Sequence, residues 1–212
     1  MSGRRDHAVI LARGASRRMG RPKGLCEAPS GEGTLLQAVA ALYAEFGLPL
    51  LVVTTAELGG LYRPLLSAQP RVAWAFAPAG GDTAATVAAA LTALGEAATH
   101  LWLHPVDLPG VSRRTLDRLA AVSRGAPSAV VTPEHDGVPG HPVVLPAAPF
   151  ADLRGTAPAG RMRDLLAARA RGEGGLRIAM IAVAVPDAGV IADLDAPAAG
   201  DGPGARQQED EP

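Results

Sequence analysis

Lysine is nearly missing from this 212-residue chain, which carries 19 arginines and a single lysine, Lys23. Cysteine is as scarce: Cys26 stands alone, which excludes an internal disulfide framework and fits a reducing compartment. No His/Asn partner pattern surrounds Cys26, so it reads as a structural thiol rather than a nucleophile. Aromatic residues are only 3% of the chain, so its 48% hydrophobic content rests on Ala, Val and Leu. That composition suits a layered α/β core in which Ala-rich helix faces pack closely on aliphatic strands. The net charge of −1 gives no global pull toward nucleic acid or a membrane surface. The longest uncharged aliphatic stretch, "IAMIAVAV" at 178–185, falls far short of the roughly 18 residues a membrane span requires. The apolar run at 8–12 is too short for a signal peptide. No repeat of 20–50 residues is visible. A soluble, cytoplasmic protein is expected.

What the chain does have is a rhythm. Short aliphatic runs recur at 7–12, 49–54, 71–76, 100–107, 128–133 and 177–185, each bounded by Gly or Pro. They are continuous rather than alternating, the pattern of strands buried on both faces in a parallel sheet. Helix-period segments lie between them at 34–47, 83–97, 112–125 and 161–172. Thr34 and Ser112 are suited to N-caps, and Gly47 and Gly125 to helix stops. Strand–helix alternation predicts right-handed crossovers and a single Rossmann-like, doubly wound, mostly parallel sheet with helices on both faces. One domain is expected over 1–197. Residues 198–212 lose the apolar period, gather Gly, Pro and acids, and are expected to form a disordered tail.

Open α/β sheets bind ligands beyond the carboxyl ends of their strands, so the loop after the first strand is informative. It reads "LARGASRRMGRPKG" and holds five cations and no acid between Arg13 and Lys23. Its glycine spacing fits neither a P-loop nor a dinucleotide fingerprint. Gly14 is expected to let the backbone turn tightly and present N–H groups to an anion. Arginine offers a planar fork for terminal phosphate oxygens and lysine a compact point charge, so a polyphosphate is the natural guest. Chemistry on a polyphosphate needs a divalent ion held by carboxylates. Asp107, in "HLWLHPVDLPG", follows a buried strand at the end where ligands sit, and a second carboxylate is expected beside it; Asp193 and Asp195 in "VIADLDAP" can also be read as simply decorating the exit from the last strand. His104 is read as a packing or capping residue.

These residues resemble a known family. "LARGASRRMGRPK" is similar to the signature L-A-x-G-x-S-x-R-M-G-x-x-K of the molybdenum-cofactor nucleotidyltransferases, within the larger nucleotidyltransferase superfamily. The resemblance implies a loop wrapped around a nucleoside triphosphate. Leu11, Ala12, Arg13, Gly14 and Ser16 then line the nucleotide, Arg18 meets the outer phosphates, and Lys23 lies on the α-phosphate side. "VDLP" is similar to the family's Asp-x-Pro magnesium element, and "DLDAP" to its late acidic element, which implies Mg²⁺ on Asp107 and Asp195. Gly81 and Thr86, at the start of the third helix, imply base and ribose contacts, although Asp82 stands where the family commonly has glycine. Gly140-His141-Pro142 resembles a turn of the cofactor-specific branch, in which His141 either contacts the acceptor or orients the loop. At Arg13 the family has alanine in cytidylyl and glycine in guanylyl enzymes; this chain has neither.

The implied reaction is nucleotidyl transfer, CMP from CTP or alternatively GMP from GTP, to the phosphate of a molybdopterin-type acceptor, with pyrophosphate released. A molybdoenzyme is a possible downstream partner; nucleic acid and membrane are not expected partners. Two rivals remain. A sugar- or alditol-phosphate nucleotidyltransferase is disfavoured by the Gly-His-Pro turn and the lack of an added domain. A non-catalytic cofactor carrier is kept open by Arg13 and Asp82, and predicts pterin binding without triphosphate binding.

Overall fold

Eight strands form one sheet in a computed structural model that describes residues 3–14, 21–80 and 82–194. The strands are β1 (Asp6–Leu11), β2 (Leu50–Thr54), β3 (Val72–Phe76), β4 (His100–Pro105), β5 (Val130–His135), β6 (Val138–Pro139), β7 (Val143–Pro146) and β8 (Met180–Ala184). Their order is β3-β2-β1-β4-β7-β5-β6, with β8 paired to β5. Strands β1 to β4 run parallel, and only β7 and β6 pair antiparallel with their neighbours. The expected doubly wound, mostly parallel sheet is what forms.

The strand sequences explain the layering. Successive side chains point to opposite faces, so Ala8 and Ile10 join one apolar cluster while Val9 joins the other. Helices α1 (Leu35–Phe46), α2 (Ala56–Tyr62) and α4 (Arg113–Gly125) cover the first face, and α3 (Thr83–Leu94) and α5 (Met162–Arg171) the second. A strand buried from both sides needs continuous hydrophobicity, which is why these runs do not alternate.

The caps behave as the sequence predicts at two helices. Thr34 accepts from the Gln37 amide in a capping box, and Gly47 closes α1 in a left-handed conformation at φ 83°. Ser112 accepts from the Thr115 amide at the start of α4, but Gly125 remains inside that helix and Ala126 caps it. The hairpin β5–β6 and the helix α2 were not among the expected elements. The hairpin turns on Asp136 (φ 49°) and Gly137 (φ 79°), the positive-φ pair of a two-residue turn. In α2, Gly59 and Gly60 weaken the helical pattern; Gly59 is there because the Phe76 ring leaves no room, with a Cβ falling 2.6 Å from it. Among the described residues no helix is long and apolar enough to cross a membrane.

The chain passes from β1 outward through β2 to β3, then returns to place β4 on the other side of β1. The winding therefore reverses between β1 and β4, and a crevice opens at their carboxyl ends.

Candidate active site

The end of β1 is held from both sides. The Ala12 amide donates to Val53 O at 2.9 Å, the Thr54 hydroxyl to Ala12 O at 2.8 Å, and the Val106 amide to Leu11 O at 3.2 Å. Leu11 and Ala12 thus sit at the reversal point, with Ala12 fully buried and Gly14 exposed beyond it. The Gly14 φ is not positive, and among the described residues nothing lies within 4 Å of a Cβ placed there. Ser16, Arg18, Gly81 and Asp195, and the tail 198–212, lie outside the described residues.

Lys23 opens a single 3-10 turn, Lys23–Leu25, after Pro22. Gly24 seats that turn against Tyr62, where a Cβ would fall 2.8 Å from the ring. From this seat the Lys23 ammonium donates to Asp107 Oδ2 at 2.7 Å and to Asp193 Oδ1 at 2.9 Å. Burial pulls the Lys23 pKa down, but the two carboxylates outweigh it and hold it above the ordinary lysine value. Lys23 and Asp107 are largely shielded, with side chains 18% and 20% exposed, whereas Asp193 is 49% exposed. The lone lysine and the strand-end aspartate, 84 residues apart in sequence, meet in one crevice.

Asp193, two residues before the Asp195 that the resemblance implies, is the second carboxylate that the described residues bring to this point. A residue the sequence reading missed altogether delivers it. Asp187 Oδ2 accepts from the Ser112 amide (2.9 Å), the Ser112 hydroxyl (2.8 Å) and the Thr115 hydroxyl (2.5 Å). Its other oxygen accepts from the Gly189 amide at 3.1 Å. This pins the segment after β8 to the start of α4. Two glycines then let backbones touch: a Cβ on Gly189 would sit 2.1 Å from Gly110 O, and one on Gly140 2.4 Å from Val190 O. The turn signal "PDAG" at 186–189 was the available clue.

The same convergence builds a groove of about 360 Å³ beside Asp107 and Asp193. Leu108, Val138, Val190 and Ile191 give it apolar walls, and His141 lines it. The His141 amide donates to Val190 O at 2.9 Å, and the His141–Pro142 bond is cis. Burial lowers the His141 pKa against the opposing pull of Asp107.

Arg13 and Thr86 are brought together rather than both turned toward the crevice. Arg13 Nη1 donates to the Thr86 hydroxyl (2.5 Å) and Asp82 O (3.0 Å), and Nη2 to Pro78 O (2.6 Å). Its guanidinium ties the β1 loop to the β3–α3 loop. The Thr86 hydroxyl is buried and also within 3.3 Å of Asp82 O. The Asp82 carboxylate accepts from the Gly160 amide at 2.7 Å. Cys26, 5% exposed with its thiol 3.7 Å from Pro22 O, is a packing residue. His104 is fully buried; burial lowers its pKa to about 4.

Among the described residues no three His, Cys, Asp or Glu side chains form a metal cluster. Asp107 and Asp193 nevertheless present oxygens to one cationic centre, the Lys23 ammonium. Oxygen donors suit a hard divalent ion, and Mg²⁺ commonly takes one or two carboxylates and fills its shell with water and phosphate oxygens. The donor set fits such an ion.

Comparison with known proteins follows the same lines. The family model for the MobA-like NTP transferase domain matches residues 8–173. No curated protein sequence matches the chain. Among solved structures, Rv0371c from Mycobacterium tuberculosis H37Rv is 23% identical, with 87% of this chain and 91% of that chain covered and a TM-score of 0.68. The complex of Rv0371c with manganese superposes with a TM-score of 0.64 at 20% identity, covering 85% and 89%. Molybdopterin-guanine dinucleotide biosynthesis protein A from Archaeoglobus fulgidus gives 0.57 at 20% identity, covering 84% and 83%. These likenesses share the fold. With the family model spanning the sheet from β1 through α5, the chain belongs to the MobA-like NTP transferase domain family and is a nucleotidyltransferase by descent and fold.

Proposed function

We propose that this nucleotidyltransferase transfers CMP from CTP to the phosphate of a molybdopterin-type acceptor, releasing pyrophosphate. The observation that carries the reading is the Lys23 ammonium on Asp107 Oδ2 at 2.7 Å and Asp193 Oδ1 at 2.9 Å, at the sheet's reversal point. The β1 loop, with Leu11, Ala12, Gly14 and Ser16, wraps the triphosphate, and among the described residues none crowds Gly14. Arg18 meets the outer phosphates. An acceptor phosphate oxygen forms a bond to the α-phosphorus as the bond to the bridging oxygen breaks, and pyrophosphate departs with that electron pair. Lys23 neutralises charge that builds on the α-phosphate, a contribution of positioning and electrostatics with no covalent protein intermediate. Asp107, Asp193 and Asp195 would hold Mg²⁺, which supplies charge neutralisation to the triphosphate when bound; manganese bound to Rv0371c supports a divalent requirement. The groove beside His141 takes the acceptor. Its mainly apolar walls suit a flat, heterocyclic body, and His141, which lines it, meets the acceptor phosphate in this reading.

GTP is the alternative nucleotide, since molybdopterin-guanine dinucleotide biosynthesis protein A is among the similar structures. A non-catalytic cofactor carrier is the second reading. It is favoured by Arg13, whose side chain occupies the space between the first and third loops. Isothermal titration with CTP, GTP and ATP in the presence of Mg²⁺ separates them, because a carrier binds pterin and no triphosphate. Pyrophosphate release with molybdopterin present tests the enzyme. Lys23→Ala is expected to lower that release at least ~100-fold, the scale of one lost charge-stabilising donor. Release unchanged in Lys23→Ala, or none from any nucleotide, overturns the reading.

A further inference from the structure

We propose that His104 is a positioning residue for Asp107: its buried imidazole, protonated on Nε2, holds the turn that carries the carboxylate and so sets how well this point accepts a divalent cation. The proposal rests on the reading of Asp107 as a metal-holding group.

The turn itself is short. β4 ends at Pro105, and the Leu108 amide reaches back to Pro105 O at 3.3 Å, leaving Val106 and Asp107 between them. Most of its main chain is tied to neighbouring segments of the fold. The Val106 amide bonds Leu11 O, and Asp107 O accepts from the Leu194 amide at 3.1 Å. One acceptor turns inward instead: Leu108 O lies 2.8 Å from His104 Nε2, in a buried contact. A carbonyl only accepts, so that nitrogen carries the proton, and the neutral ring has one proton to give. His104 Nδ1 is therefore an acceptor, and the Tyr43 hydroxyl 2.9 Å away is its donor. Tyr43 and His104 are both fully buried, their rings edge-on at 87° with centroids 5.4 Å apart. Helix α1, strand β4 and the Asp107 turn are thus joined by two hydrogen bonds whose direction is fixed.

Neither Tyr43 nor His104 is among the groups proposed to meet the nucleotide. Their effect is indirect: without the Nε2–H, Leu108 O loses its buried partner, and a carbonyl left so regains one by shifting toward water. The residue that shifts with it is Asp107, one position earlier.

Two measurements test the proposal. Nitrogen-15 spectra of His104 in the full chain should show the Nε2–H tautomer at neutral pH; the Nδ1–H tautomer overturns the proposal, and this needs no variant. Mn²⁺ affinity of the full chain, followed by electron paramagnetic resonance, is the second. His104→Phe, which fills the space without a donor, is expected to weaken Mn²⁺ binding about 10-fold, the scale of losing a group that orients a metal ligand. His104→Gln places an amide nitrogen at the reach of Nε2 and should recover most of that affinity, whereas His104→Asn reaches only as far as Nδ1 and should not. A merely space-filling role predicts that Gln and Asn behave alike, and equal affinities overturn the proposal alone. No Mn²⁺ binding by the unsubstituted chain overturns the metal reading of Asp107 and this proposal with it.

Discussion

Arg13 shows how one side chain can change its meaning between sequence and structure. In sequence it belongs to a cationic loop and reads as a phosphate ligand. Folded, its fork donates to Pro78 O, Asp82 O and the Thr86 hydroxyl. Burial lowers its pKa and Asp82 opposes this, but a guanidinium stays charged throughout. Charge-assisted bonds to neutral oxygens contribute more than ordinary ones, so Arg13→Ala is expected to loosen the β3–α3 loop. Amide hydrogen exchange over residues 77–83 should accelerate in that variant; unchanged protection would show that the strap is not holding the loop. Lys23 had the opposite history. Its position alone in an arginine-rich chain was suggestive, and the structure supplied the two carboxylates that give it a purpose.

Elements deliver these side chains through their ends. β1 and β4 lie side by side, so their carboxyl ends place the Lys23 loop and the Asp107 turn together without either segment being long. The third contribution comes from the far end of the chain, where the segment after β8 is pinned by Asp187 to the cap of α4. Burial raises the Asp187 pKa, but the hydrogen bonds from Ser112, Thr115 and Gly189 outweigh it and hold the group below the usual aspartate value. A depressed carboxylate pKa contributes stability that is present above the unfolded value and lost as pH falls through the folded one. Asp187→Asn is therefore expected to lower the melting temperature at pH 7, with the gap from the unsubstituted chain closing below pH ~4. A gap independent of pH would exclude this linkage. Asp187 was hard to find in the sequence because its partners lie more than seventy residues away; only "PDAG" hinted at a turn. The Asp136-Gly137 hairpin is a more local signal, a standard two-residue turn written in adjacent residues.

Across the molecule, two apolar layers clamp the sheet, and a histidine sits deep inside the first. His104 has its pKa lowered from 6.5 to about 4 by burial, with the bond to Leu108 O opposing the shift and His141 adding to it. The unfolded chain then binds more protons than the folded one between those two values. Stability is fully present above about pH 6.5 and declines as pH falls toward 4, by about 3 kcal/mol in all. Denaturant unfolding from pH 7 to 4 should show that slope in the unsubstituted chain and a flatter one in His104→Gln. Equal slopes would place the acid sensitivity elsewhere.

Periodicity and composition were enough to determine a mostly parallel, doubly wound sheet, because strands covered on both faces must be continuously apolar and the helices between them must carry one apolar stripe. The loop signature and the Asp-Leu-Pro turn were legible for the same reason: each is local, its chemistry written in adjacent residues. Which carboxylate meets Lys23, where the Arg13 fork lands and what holds the Asp107 turn were decided by tertiary structure alone. Apart from the His104–Leu108 bond, which spans four positions, those are contacts between residues tens to more than a hundred positions apart, and the reversal of the winding between β1 and β4, with the close glycine-mediated approach of the late loops, brings them within bonding distance.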